Sequence, residues 1–396
     1  MALGRIGATP TSVSESAANS ADVVATTTSK PIRLAIVHEK FTVYGGSEKC
    51  VEQMHLLWPD APIFTTVSDA SSTGPILKSA DIRPSKIVQR LYRGGDNYAH
   101  LLPLFPAALA AHDLSDFDVV LTSHHAFANR VRTSPSTNVI GYIHSPARWM
   151  WDQAMIANEV GGRIGRAGLR AFAATQRLPD RRAAIRPKVL LANSNEVASR
   201  IKRWWSRESQ VVAPPVDTDF FTPDDSARED FFLFAGRLVP YKRPDIAISA
   251  AERAGVRLVV AGDGRWRRHC EQLSGPNTEF LGWVDREAQR ELFRKCRAVL
   301  YPGIEDFGIV PVEAQACAAP VIAIDAGGSQ DTVVQGTTGI LYTAATDHVS
   351  ELAKLLTNFD SDAFEPTSIR ANSERFDSSV FREKLSKSVT ETAAGA

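Results

Sequence analysis

Residues 32–58, IRLAIVHEKFTVYGGSEKCVEQMHLLW, read as a strand, a glycine loop and a helix. Ile32, Leu34, Ala35, Ile36 and Val37 form a short apolar run rich in β-branched side chains. Tyr44, Gly45, Gly46 and Ser47 interrupt it, and Val51, Met54, His55 and Trp58 then recur at helical spacing. That order is the opening of a Rossmann-like unit.

Outward from this unit, the apolar runs 63–67, 119–123, 139–144 and 189–193 read as further buried strands, each ending in polar residues. In open parallel sheets ligands bind beyond the carboxyl ends of strands. His125, His144 and Ser194 therefore stand where chemistry is expected. Near 211–217 the pattern stops at Pro214 and Pro215, neither of which offers a backbone N–H. It then restarts. Strands are predicted at 231–234, 257–261, 298–301 and 320–324, with helices at 245–254 and 312–317. The fold class implied is α/β: two facing Rossmann-like domains with parallel sheets and a cleft between them. The first domain is placed at 32–213 and the second at 214–375. A C-terminal helical stretch, 376–396, is expected to pack back on the first domain. Residues 1–31, rich in Ser, Thr and Ala, read as a disordered tail without the apolar core of a secretory signal.

Formal net charge is zero, which removes a global electrostatic grip on nucleic acid. The four cysteines, Cys50, Cys270, Cys296 and Cys317, are too widely spaced to frame a zinc site or a disulfide scaffold. Buried reduced thiols are expected, and no apolar run is long enough to span a bilayer.

Four stretches carry chemistry. In Glu305–Asp306–Phe307–Gly308–Ile309–Val310–Pro311–Val312–Glu313, two glutamates flank a helix start whose backbone N–H groups favour an anion. Glu313 can hold a diol such as a ribose. Two solvated glutamates would give the same spacing. Gly236–Arg237–Leu238–Val239–Pro240–Tyr241–Lys242 supplies a guanidinium and an ammonium suited to a diphosphate without a metal, or else a plain basic loop. Gly45–Gly46–Ser47–Glu48–Lys49 offers backbone amides, or a simple tight turn. His144 ends a buried strand and precedes Arg148, Trp149, Trp151 and Asp152. It suits a hydrogen bond to a sugar hydroxyl, or a satisfied core position. Separately, residues 161–188 carry seven arginines and Lys188 against one acid, Asp180. A solvated helix face and a surface for anionic lipid or a lipid-linked pyrophosphate, spanning Arg163 to Lys188, both fit that pattern.

These motifs together resemble the retaining glycosyltransferases of family 4, which have the GT-B fold. The resemblance runs over about residues 32–342. Its second half is carried by GRLVPYKRPD, AGDG, FLGWV, YPGIEDFGIVPVEA and PVIAIDAGG, in the family's order. The resemblance implies that Arg237 and Lys242 hold the donor diphosphate, Glu305 the donor sugar and Glu313 the ribose. Phe307, Gly308 and Ile309 would cradle sugar and phosphate, Gly282 and Val284 would border the base, and Gly45 and Gly46 would close from the first domain. GGSEK, SHHAFA and YIHSPARWMWD are similar to a bacterial branch that includes GDP-mannose-dependent mannosyltransferases of polysaccharide and glycolipid assembly. His144 would then be the histidine at the reaction centre. Glu48, His125, Arg148, Trp149 and Asp152 would lie on the acceptor side.

The implied activity is transfer of a hexose, mannose from GDP-mannose, with retention and without metal or other cofactor. The acceptor would be a glycan, a polyprenyl-diphosphate glycan or a glycolipid, and the protein cytoplasmic and peripheral to the inner membrane face. UDP- or ADP-sugar donors, or a catalytically silent sugar-nucleotide binder, are the alternatives. A phosphorylase lacks a placement for its pyridoxal phosphate lysine, and an epimerase lacks its early glycine motif and Tyr–Lys pair. Three positions depart from the family pattern. Ala318 replaces a common glycine, which a methyl tolerates unless the backbone needs positive φ. Ala128–Asn129–Arg130 stands where Ala–Lys–Gly is frequent, and Asp331 where Glu is common.

Overall fold

The computed structural model describes residues 32–95, 98–152, 155–156, 162–344 and 347–395, so the expected tail, 1–31, lies outside the described residues. The chain forms two parallel sheets. The first runs in the order β3-β2-β1-β4-β5-β6-β7. Its strands are β1 (Leu34–His38), β2 (Ile63–Thr65), β3 (Ile82–Pro84), β4 (Val119–His124), β5 (Asn138–Ile143), β6 (Val189–Ala192) and β7 (Gln210–Val211). The second runs β10-β9-β8-β11-β12-β13. Its strands are β8 (Phe232–Ala235), β9 (Leu258–Ala261), β10 (Thr278–Gly282), β11 (Val299–Tyr301), β12 (Val321–Ile324) and β13 (Gly339–Tyr342).

Central strands such as LAIVH and FLFA are buried at every position, as strands covered on both faces require. One face of the first sheet packs Leu34, Ile36, Val119 and Leu121, and the other Ala35, Val37, Val120 and Val139. The second sheet is covered in the same way.

The helices used below are α1 (Gly46–Leu57), α2 (Arg163–Ala183), α3 (Asn195–Arg200), α4 (Pro244–Ala254), α5 (Arg286–Lys295), α6 (Ile309–Ala316) and α7 (Ser378–Ala394). After β7 the chain crosses to the second sheet, and it returns at α7. The two crossings are tied together, because Val216 N donates to Phe376 O at 3.0 Å and Ser378 N to Val216 O at 3.0 Å. Helix α7 buries Phe381, Leu385 and Val389 in the core shared with Cys50, Val51 and Met54 of α1.

Most element ends shift by about a residue from the sequence expectation, and two larger shifts have a clear cause. The strand expected at 63–67 ends at Thr65, since Thr66 turns to donate to Glu39 O and Val67 O accepts from Phe41 N. The helix expected to start at Val312 starts at Ile309. Gly308 caps it with φ +92°, and Pro311 falls in the first turn, where its missing N–H costs nothing. Ala318 has φ +60°, so the methyl there sits on left-handed backbone.

Among the described residues, no helix is long and apolar enough to cross a membrane.

Candidate functional site

In both sheets the strand order reverses beside the first strand, between β1 and β4 and between β8 and β11. Loops leaving neighbouring strands there diverge and leave room for a ligand. In the second sheet those loops carry Lys242 and Glu305, whose Nζ and Oε1 lie 2.5 Å apart with both side chains largely buried. Arg237 is exposed and donates to the Tyr241 hydroxyl at 3.1 Å. Gly308 and Ile309 begin α6, whose first backbone N–H groups have no intrahelical partner. Glu313, one turn on, is 5% exposed. It accepts from Gln289 Nε2 of α5 at 3.2 Å and from Lys49 Nζ of α1 at 3.1 Å. Gly282 O accepts from Gly262 N at 2.6 Å at the end of β10. Val284 packs in the core beyond, while Trp283 between them is 79% exposed.

The first lobe meets this surface through its glycine loop. A Cβ on Gly46 would stand 2.6 Å from Ile309 Cδ1, so any larger residue would require the tip of that side chain to move. Gly45 N donates to Glu48 Oε2 at 3.0 Å, holding the loop to the first turn of α1. Further links join the lobes. Asp306 accepts from Arg148 Nη1 at 3.4 Å and from Arg200 Nη1, and Asp331 takes two 2.7 Å bonds from Asn195 at the start of α3.

Behind the glycine loop lies a buried imidazole cluster. His144 Nε2 is 2.8 Å from Ser123 Oγ, and the same oxygen is 3.0 Å from His38 Nδ1. His38 Nε2 is 3.3 Å from Glu48 Oε1. His125 stacks on His144 with centroids 4.4 Å apart. Burial, with His38 close by, lowers His144 to about 3 and keeps it neutral. His125 is held well below the usual histidine range by burial and by His144. Burial opposes charge on Glu48, yet His38, Lys40 and Ser47 outweigh it and hold the carboxyl below its ordinary value. Glu39 accepts from the backbone N–H groups of His125, Ala126, Phe127 and Ala128, which fixes the loop that carries His125. Burial nonetheless raises its carboxyl above the ordinary range.

The structure therefore brings Gly45, Gly46, Phe307, Gly308, Ile309 and Glu313 together, and His144 with His125. It turns some expected contacts inward. Both oxygens of Glu48 have protein partners, Oε1 facing His38 and Oε2 accepting from Gly45 N and Ser47 Oγ. Trp149 is stacked on Phe172 at 5.8 Å, so one of its faces is covered by protein. Asp152 follows the short helix Arg148–Trp151 as its cap. Ser194 caps α3 by accepting from Val197 N at 3.1 Å. His38, Ser123, Lys49 and Gln289 were not singled out as site residues. The rule that picked His144, a polar residue closing an apolar strand, applies equally to His38 and Ser123.

The sequence profile of the family described as Glycosyl transferases group 1 matches residues 216–375. D-inositol 3-phosphate glycosyltransferase of Mycobacteroides abscessus is 35% identical over 153 residues, 33% of this chain and 34% of that one. The enzyme of the same name from Kribbella flavida is 34% identical over 185 residues, 38% and 44% of the two chains. The chain thus spans about a third to under a half of the length of these relatives. Among solved structures, HepE of Anabaena, in complex with UDP and glucose, superposes with TM-score 0.68 at 19% identity over 91% of this chain and 99% of that one. Sucrose-phosphate synthase of Thermosynechococcus elongatus gives 0.69 at 17% identity over 92% and 100%. The fold is that of the GT-B glycosyltransferases.

Proposed function

We propose that this chain is a glycosyltransferase of group 1, one that moves a hexose from a nucleotide sugar to a hydroxyl of a glycan or lipid-linked glycan, with retention and without a metal. The observation that carries the reading is the cluster of Lys242, Glu305, Glu313 and the α6 N-terminus inside the family-matched segment 216–375, met by Gly46 of the first lobe. Arg237, Lys242 and the backbone N–H groups at Phe307 to Ile309 stabilise the leaving diphosphate, charge that would otherwise call for a cation. Glu305 holds Lys242 and contacts the donor sugar, and Glu313 takes the ribose hydroxyls. Gly282 and Val284 border the base.

Retention is assigned to a front-face path. The acceptor oxygen bonds to the anomeric carbon as the sugar–phosphate bond breaks, and a leaving-phosphate oxygen accepts the acceptor's proton. The state of the nearby carboxylates supports this path. Glu39 accepts from the backbone N–H groups of the loop that carries His125, and Glu48 from Gly45 N and Ser47 Oγ, so both are engaged in holding loops.

The first-lobe motifs support GDP-mannose as donor. HepE, with its UDP and glucose, favours a UDP-hexose as the second reading. The inositol phosphate in the relatives' names stays with them, given the short matched span. The exposed face of α2 is assigned to an anionic membrane or lipid-linked pyrophosphate at the inner leaflet. Ile164 there is 90% exposed beside Arg163 and Arg166.

The deciding experiment is thermal stability in EDTA with GDP, UDP, ADP and their hexose conjugates, since a ligand of the folded state raises stability by mass action. Selective response to GDP and GDP-mannose supports the first donor, and response to UDP moves the donor to the second reading. Silence toward all of them sinks the site.

A further inference from the structure

We propose that Glu48, His38 and Ser123 form a hydrogen-bond relay that fixes His144 as the Nε2–H tautomer and so presents an unprotonated Nδ1 to a hydroxyl of the bound sugar. The inference deepens the transferase reading and rests on it for the identity of the ligand, while the relay itself rests on the geometry alone.

The direction of each bond follows from what each atom can do. Glu48 is a carboxylate and accepts only. At 3.3 Å from its Oε1, His38 Nε2 must carry the hydrogen. The relay takes His38 as the neutral ring, which leaves a lone pair on Nδ1, and Ser123 Oγ, 3.0 Å away, donates to it. Serine has one hydroxyl hydrogen, so toward His144 its oxygen can only accept. His144 Nε2, at 2.8 Å, is therefore the protonated nitrogen, and the neutral ring keeps its second lone pair on Nδ1. Four side chains from three elements, α1, β1 and β4, and from the residue after β5, are needed to fix that one tautomer. All four are buried, so water does not compete for the bonds. Which nitrogen of a histidine is free is decided by what the other nitrogen touches.

Glu48 is also locked in orientation. Its Oε2 accepts from Gly45 N at 3.0 Å and from Ser47 Oγ at 2.8 Å, so the oxygen facing His38 is always Oε1. This makes the isosteric amide a switch. In Glu48→Gln the carbonyl oxygen must stay on Gly45 N, because an NH2 cannot accept from it. The NH2 then faces His38 and donates to Nε2. Every later bond inverts: His38 Nδ1–H donates to Ser123, Ser123 donates to His144 Nε2, and His144 carries its hydrogen on Nδ1. Glu48, His38 and Ser123 are thus positioning residues, and His144 is the group that touches the sugar.

The test is nitrogen-15 NMR of the histidine rings in the full chain at pH 7.5, with His144 assigned from the spectrum of His144→Gln. The expected result is an Nε2–H tautomer for His144 in the wild type, an Nδ1–H tautomer in Glu48→Gln and a loss of the single-tautomer signal in Ser123→Ala. Turnover should fall at least about 10-fold in Glu48→Gln, with the donor KM little changed. A wild-type His144 protonated on Nδ1, or a tautomer indifferent to Glu48→Gln, overturns the relay. A protein with the expected tautomers that binds no nucleotide sugar overturns the transferase reading instead.

Discussion

Lys242 Nζ lies 2.5 Å from Oε1 of Glu305, although 63 residues separate them in the chain. The pairing exists because β8 and β11 are neighbours at the point where the strand order reverses. A partly buried ammonium held by one carboxylate keeps donors for a second anion. Lys242→Ala and Arg237→Ala should each lower turnover about 100- to 1000-fold, the usual cost of losing one preorganised donor to a developing anion. Glu305→Gln should lower turnover with less effect on nucleotide affinity. Donor consumption and calorimetry with the free nucleoside diphosphate separate the two effects, and near-normal turnover in Arg237→Ala would contradict the diphosphate site.

Glu313 reaches Lys49 of the first lobe at 3.1 Å, on the carboxylate assigned to the ribose. Lys49→Met leaves a buried carboxylate with only Gln289 as side-chain donor. Stability should fall by roughly 1–3 kcal/mol, the cost of an unsatisfied buried group. The rise in melting temperature given by nucleotide should grow, because ribose hydroxyls now supply the missing donors. An unchanged rise would mean that the ribose does not reach Glu313.

Much of this arrangement was legible in the sequence, and the failures have a common cause. The central strands β1, β4, β8, β9, β11 and β12 were read because they are buried on both faces and hence continuously apolar. β3, β7, β10 and β13, which were not read as strands, all lie at sheet edges. In β10 the burial alternates between half-buried and exposed, and β7 is two exposed residues. Candidate site residues such as Lys242 and Gly308 are marked by the loops that carry them. Lys49 is not legible because its role depends on a partner in another element, of which one-dimensional spacing carries no trace, whereas His38 and Ser123 close apolar strands just as the strand before His144 closes.

Ala318 occupies left-handed backbone with φ +60°, a conformation that favours glycine. An alanine there costs about 1–2 kcal/mol. Glycine recovers that but loosens the unfolded chain by about 0.4–1 kcal/mol. Ala318→Gly should therefore stabilise the protein by up to about 1.6 kcal/mol, read from urea unfolding. A loss of stability would mean that the methyl, 4% exposed, contributes more by packing than it costs in strain.

The arginines of α2 divide by location. Arg177 and Arg181 are tied down, to Met150 O and Trp204 O at 2.8 Å each, whereas Arg163, Arg166 and Arg170 are exposed. The second group, together with the exposed Arg182, faces solvent and can meet phosphate headgroups. Replacing Arg163, Arg166 and Arg170 by Gln should abolish co-sedimentation with vesicles rich in phosphatidylserine at low salt, at about 1 kcal/mol per residue. Transfer to a soluble acceptor should be unaffected. Wild-type protein that never sediments with such vesicles removes the membrane assignment and leaves the donor site standing.

Asp180 sits at the far end of the same helix, buried, with its Oδ2 accepting from Trp151 Nε1 at 2.8 Å and from Trp205 Nε1 at 2.6 Å. Burial lifts its pKa to about 6 from an ordinary 3.8, against the pull of the two indoles. The native state therefore holds a proton that the unfolded chain releases between these values, and stability falls as pH rises through that window. The penalty is absent well below 3.8 and complete above about 6. Asn in its place can still accept from both indoles and does not titrate. The unfolding free energy of Asp180→Asn relative to wild type should thus improve by on the order of 1 kcal/mol between pH 5 and pH 7.5. Any constant cost of the amide cancels in that comparison. A pH-independent difference between the two proteins would place the Asp180 carboxyl in its ordinary range and the proton elsewhere.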